Sequence, residues 1–115
     1  METIALRTFF SYDILPNLRK IMKDSWKLKE IQVNYDTKYL PDYWNINSYP
    51  ITLIFNELDK KFEVKIFALS LGYEGVGPTN FSKLLEYFDI SYEKEDIFTN
   101  RCMDVYGHIR LRYVK

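Results

Sequence analysis

The run Ile51-Thr-Leu-Ile-Phe-Asn-Glu-Leu-Asp-Lys-Lys-Phe-Glu-Val-Lys-Ile-Phe-Ala-Leu-Ser70 holds two strand-rich stretches, 51 to 58 and 61 to 70, on either side of Asp59-Lys60. In the second stretch Phe62, Val64, Ile66 and Ala68 alternate with Glu63, Lys65 and Phe67, the period of a strand with one buried face. A two-residue connection between such stretches predicts a β-hairpin, although Asp-Lys lacks the glycine that tight hairpin turns favour.

Outward from this hairpin, the chain supplies partners for it. Residues 3 to 10 place Ile4, Leu6, Thr8 and Phe10 on one side and predict a first strand. Ile14, Leu15, Leu18, Ile21, Met22 and Trp26 then recur at steps of three and four, which predicts an amphipathic helix with Pro16 in its first turn. A second strand is expected over about 29 to 36, where Ile31, Val33 and Tyr35 share a face. Phe81, Leu84, Leu85 and Phe88 predict a second, short helix ending near Asp89. Residues 92 to 99 read as a loop or short edge strand. In the last stretch Val105, Gly107, Ile109, Leu111 and Tyr113 alternate with Tyr106, His108, Arg110, Arg112 and Val114, which predicts a terminal strand. The expected fold is therefore α+β, a mostly antiparallel sheet of about five to six strands with two amphipathic helices packed on one face. At 115 residues a single domain, 1–115, is expected.

Three of the four glycines, Gly72, Gly75 and Gly77, fall between the hairpin and the second helix, followed by Pro78. Glycines clustered at such a junction suggest a turn needing positive φ, or close backbone approach by another group. With Thr79 or Asn80 capping the helix, the loop would present unpaired amides and the positive end of a helix dipole, a natural anion site. The spacing matches neither the dinucleotide fingerprint nor the phosphate-binding loop, and Glu74 places a negative charge in it. A tight corner alone accounts for the same pattern.

Cations that the loop lacks stand on the terminal strand, where His108, Arg110 and Arg112 project to one face and can meet a phosphate or carboxylate. Ordinary solvated charges give the same row on any half-buried strand. Between 36 and 50, Tyr39, Tyr43, Trp44 and Tyr49 occur without a clear period. A loop this long and aromatic is expected either to pack as a flap over the core or to act as a lid or recognition surface.

Charge is balanced, with 16 basic and 16 acidic residues, which disfavours a dedicated nucleic-acid surface. One cysteine, Cys102, excludes an internal disulfide, and Cys102 with His108 lacks an orienting third group for nucleophilic catalysis. No His or Cys spacing suits zinc, no stretch approaches the roughly 20 apolar residues of a membrane helix, and no cofactor motif occurs. The N-terminus has no basic region followed by a long apolar run, so the expectation is a soluble, cytoplasmic protein. Abundant Lys, Ile, Asn, Tyr and Phe suggest an AT-rich bacterial or phage genome.

Two functions follow as expectations. The first is a non-catalytic binder of a small anionic, nucleotide-like ligand, such as a signalling nucleotide to be sequestered. It would use Gly72, Tyr73, Gly75, Gly77, Thr79 and Asn80 with His108, Arg110 and Arg112, and Tyr73 or Trp44 would stack on a base. The second is a protein-interaction module, such as a toxin-immunity or inhibitor protein, anchored by Tyr39, Tyr43 and Trp44 in loop 39–49. Open sheet edges also leave room for a homo-oligomer.

Overall fold

The computed structural model describes all 115 residues. Five strands, β1 (Glu2–Leu6), β2 (Trp26–Asp36), β3 (Ile51–Glu57), β4 (Lys60–Ile66) and β5 (His108–Val114), form one sheet in the order β1-β4-β3-β2-β5. All neighbours are antiparallel except β1 and β4, which are parallel. Three helices accompany the sheet: α1 (Ile14–Ile21), α2 (Val76–Tyr87) and α3 (Lys94–Phe98). The α+β expectation and the mostly antiparallel sheet hold.

Register explains the core. Leu111, Val33, Ile51, Ile66 and Leu6 line up across all five strands, and so do Tyr113, Ile31, Leu53, Val64 and Ile4. These two rows, with Phe55 and Phe62, pack against Ile14 and Leu18 of α1, Phe81, Leu84 and Leu85 of α2, and Ile97 of α3 in one buried cluster. The other face carries Arg112, Gln32, Thr52, Lys65 and Ala5 in one row and Val114, Glu30, Ile54, Glu63 and Thr3 in the next. It is tied by Thr3 Oγ1 donating to Glu63 Oε1 at 2.8 Å and Lys65 Nζ donating to Thr52 Oγ1 at 3.2 Å. Period-2 alternation thus gives one apolar face under the helices and one polar face.

Several boundaries differ from the sequence expectation. β1 stops at Leu6, and Phe9 and Phe10 are exposed in the bend that follows. The first helix stops at Ile21, and Trp26 opens β2, where its ring packs against Phe55 and Phe62 at 5.3 and 4.7 Å between centroids. Trp26 continued the helical spacing by coincidence. A bulge between Leu28 and Glu30 resets the alternation of β2, so Leu28, Ile31 and Val33 all reach the core. Residues 94–98 form α3 and not an edge strand, because buried Ile97 is held by one helical turn after an acidic first turn. Tyr106 and Gly107 turn the chain into β5, which begins at His108 and not at Val105.

The hairpin turn falls at Leu58-Asp59, one residue earlier than expected, because Glu57 pairs with Lys60. Leu58 has φ 55° and is exposed. Left-handed backbone costs a non-glycine residue roughly 1–2 kcal/mol, partly offset by the extra chain entropy that glycine loses on folding. Leu58→Gly is therefore expected to stabilise the protein by about 0.5–1 kcal/mol, raising Tm by about 2–5 °C in a thermal melt.

Candidate functional site

Strand direction gathers four connections at one end of the sheet: residues 7–13 after β1, 37–50 between β2 and β3, 67–75 after β4, and 99–107 before β5. The glycine segment, the aromatic loop and the start of the cationic row all lie at this end. They do not form one site.

Each glycine of the cluster has a packing cause. Gly72 has φ 90°, a conformation suited to glycine, and its N–H donates to Ile97 O at 2.9 Å. A Cβ on Gly75 would lie 2.4 Å from the Tyr73 ring, and one on Gly77 would lie 2.0 Å from Ser70 Oγ and 2.7 Å from Ser70 O. Gly77 and Pro78 are buried in the first turn of α2, not in the loop. Thr79 and Asn80 do not cap that helix: they sit inside it, and their side chains donate backwards to Gly75 O at 2.7 Å and Val76 O at 2.8 Å. Tyr73 is held by a 2.7 Å hydrogen bond between its hydroxyl and Ser70 Oγ. The open hollow beside the helix start is lined by Glu74, Lys94 and Glu95 among others, so carboxylates outnumber the cation there.

Gly72 faces Ile109 Cδ1, 3.5 Å from where its Cβ would be. Ile109 points to the helix side of β5, so His108 and Arg110 point to the opposite side. The sheet itself therefore separates the glycine segment from the cationic row.

That row meets an acidic row on β2. His108 lies directly opposite Asp36, and His108 Nε2 donates to Asp36 Oδ2 at 2.8 Å, which fixes the proton on Nε2 in the neutral ring. Arg112 Nε donates to Glu30 Oε2 at 2.5 Å and is thereby occupied. Arg110 is different: its nearest carboxylate, on Asp104, is 3.7 Å away, and its side chain is 65% exposed. Arg110 Nη2 donates weakly to His108 Nδ1 at 3.5 Å.

Above these strand ends the aromatic loop folds on itself. Tyr49 donates its hydroxyl to Tyr43 O at 2.6 Å, Ser48 Oγ accepts from Asp42 N at 2.8 Å, and the Asn45 side chain accepts from Asn47 N at 3.1 Å. Its near side encloses an open cleft of about 320 Å³ together with the ends of β2 and β5. Tyr39 lines this cleft with His108 and Arg110, so three residues expected from sequence to be functional converge there. Asn34, Asp36 and Asn47 also line it; sequence reasoning missed the two asparagines and saw in Asp36 only a carboxylate without diagnostic spacing. Asn34 and Asp36 do share a strand face at period two, but which strand lies beside β5 is not written locally.

The far side of the loop is an aromatic cluster. Phe9 stacks on Tyr43 at 5.1 Å and 4°, Trp44 meets Tyr43 edge-on at 4.8 Å, and Phe67 joins Phe9, Tyr43 and Tyr49 at 5.2–5.8 Å. The Arg7 guanidinium lies 5.8 Å from the Tyr43 ring centre. Trp44 therefore sits on the cluster and not in the cleft.

Cys102 donates its thiol to Asp96 Oδ1 at 3.2 Å, and burial followed by that carboxylate pushes its pKa up, away from a reactive thiolate. Cys102 and His108 are thus engaged by different carboxylates. No group of three or more His, Cys, Asp or Glu is placed to hold a metal ion, and no helix is long and apolar enough to cross a membrane. No protein-family model matches the chain, and no curated protein or solved structure matches it significantly.

Two predictions follow from this geometry. Gly77→Ala is expected to destabilise the protein by about 1–3 kcal/mol in urea unfolding, because the added methyl meets the Ser70 backbone despite alanine's better helix propensity. Asp36 and Asp104 are both held below the usual aspartate range, Asp36 first by the Lys38 N–H and then by His108, Asp104 first by the His108 N–H. Glu30 is lowered as well, first by Arg112. A depressed carboxylate binds its proton more readily in the unfolded chain, so its stabilisation is present above the unfolded value, about 4, and is lost as pH falls through the folded one. Unfolding measured from pH 6 to pH 3 should show stability falling on the acid side, with a shallower fall in Asp36→Asn and in Asp104→Asn.

Proposed function

We propose that the protein is a non-catalytic protein-interaction module, of the inhibitor or immunity kind, whose contact surface is the aromatic end of the sheet. The observation that carries this reading is the exposure of a contiguous set of rings: Trp44 is 82% exposed and Phe9 67%, although both pack on the Tyr43 ring, Phe9 stacked and Trp44 edge-on. Scattered surface hydrophobes are ordinary, whereas a contiguous patch of them marks an interaction surface. Phe10 and Tyr12, stacked at 5.2 Å, extend the patch along the bend after β1.

Composition at this end suits recognition. Trp, Tyr and Arg dominate the residues whose truncation costs most at interfaces, and Trp44, Tyr43 and Arg7 stand together. The loop's own hydrogen bonds hold these rings in place before any contact, which reduces the ordering cost of association. The complementary partner is a protein surface with an apolar pocket for the Trp44 indole and a carboxylate for Arg7. Burying what remains exposed of each large ring is worth about 1.5–3 kcal/mol.

Affinity capture from the source cell's extract, followed by titration of the purified pair, tests the reading. Trp44→Ala and Phe9→Ala are each expected to weaken the pair by about 2 kcal/mol, roughly thirtyfold, with Arg112→Ala on the open sheet face unchanged. A partner that binds both ring variants as tightly as the native chain would overturn it, as would an extract from which nothing binds specifically.

A further inference from the structure

The cleft between the aromatic loop and the ends of β2 and β5 shares buried Tyr49 with the aromatic cluster, but its chemistry is of another kind. One wall ends in Arg110, whose side chain is 65% exposed and whose one ion-pair partner, the Asp104 carboxylate, stands 3.7 Å away, beyond hydrogen-bond distance, so that an anion would share the guanidinium with it. Tyr39 lines the same cleft and is also largely exposed. Asn34 and Asn47 also line the cleft, and both are exposed. Each carboxamide offers donors and an acceptor together.

These groups define complementary features in a ligand. A planar heterocycle can lie on the Tyr39 ring, because every such base has a π-face. Donors and acceptors on its edge match the two carboxamides. An anionic substituent reaches the forked donors of Arg110, a geometry that suits phosphate. The Asp36 carboxylate does not oppose that anion freely, since it accepts from His108 Nε2 at 2.8 Å and from the Lys38 N–H at 2.9 Å. At about 320 Å³ the cleft falls at the small end of the range for ligand sites. We infer that this cleft is a binding site for a nucleoside monophosphate, with Tyr39 under the base, Asn34 and Asn47 at its edge, and Arg110 on the phosphate.

The exposed rings Trp44 and Phe9 do not line the site, and Tyr49 is the ring its lining shares with the aromatic cluster. The site also differs from the glycine segment, which lies across the sheet and contributes nothing to it.

Calorimetric titration of the full chain with the four ribonucleoside 5′-monophosphates tests the inference, with the matching nucleosides and inorganic phosphate as single-part probes at low ionic strength. At least one monophosphate is expected to bind about tenfold more tightly than its nucleoside and than phosphate. Arg110→Ala should weaken it by about tenfold, the scale of one lost charge-assisted hydrogen bond, while Arg112→Ala and Trp44→Ala leave it unchanged. Tyr39→Ala should weaken the nucleoside and the monophosphate alike. All four side chains are exposed, so these variants are expected to fold, with circular dichroism as the check. Absence of binding by all four monophosphates at millimolar concentration would overturn the inference. So would binding that phosphate alone reproduces, or binding that survives both Arg110→Ala and Tyr39→Ala.

Discussion

Everything in this protein depends on the register of one sheet. Two apolar rows cross all five strands, and every helix packs on them. Side chains alternate with period two, so a slip of one residue in any strand would turn its apolar set to the open face and its charges into the core. β3 sits in the middle of the order, and Ile51 through Phe55 are buried on both its faces. Register also fixes what the open face offers, since placing Val33 beside Leu111 places His108 beside Asp36.

From that register follows the concentration of exposed chemistry at one end. β1 and β4 run parallel, β2 runs in the same direction, and β3 and β5 run opposite. The long connection 37–50 must then leave the sheet where β5 enters it. A loop of this length is marginal unless it carries its own structure. Here Ser48, Asn45 and Tyr49 provide that structure through hydrogen bonds to neighbouring backbone, and Phe9 and Phe67 brace it from outside. The result is a rigid wall with two unlike sides, one aromatic and one polar.

How much of this was legible in the sequence depended on the range of the information. Period and local turn chemistry located β3, β4, β5 and the core face of α2 without long-range knowledge. Trp26 misled because helical spacing and strand alternation agree over short spans, and only its contacts with Phe55 and Phe62 decide between them. Residues 94–98 gave a single buried position, Ile97, too little for any periodicity. The cationic row was visible, but the groups that engage it are 72 and 82 positions away, on a strand whose adjacency to β5 no local pattern records. Tyr39 was identified, yet the reason it shares a cleft with Arg110 lies in the β2–β5 pairing.

The glycine cluster shows why a conspicuous motif can be a matter of packing. A phosphate loop needs free amides facing a space that a ligand can enter. In this chain the Gly72 amide is bonded to Ile97, the space at Gly75 is filled by Tyr73, and the space at Gly77 is filled by Ser70. The segment must bring the chain from the end of β4 over the sheet and start α2 so that Phe81, Leu84 and Leu85 face the core. With any larger residue at Gly77 the first turn of the helix would be forced away from Ser70, and the apolar face behind it would lose its close packing. Since β5 places Ile109 against Gly72 and sends Arg110 to the other face, the glycine segment and Arg110 stand on opposite sides of the sheet. The glycines therefore belong to the placement of α2, and the chemistry of Arg110 has to be explained by the side of the sheet on which it stands.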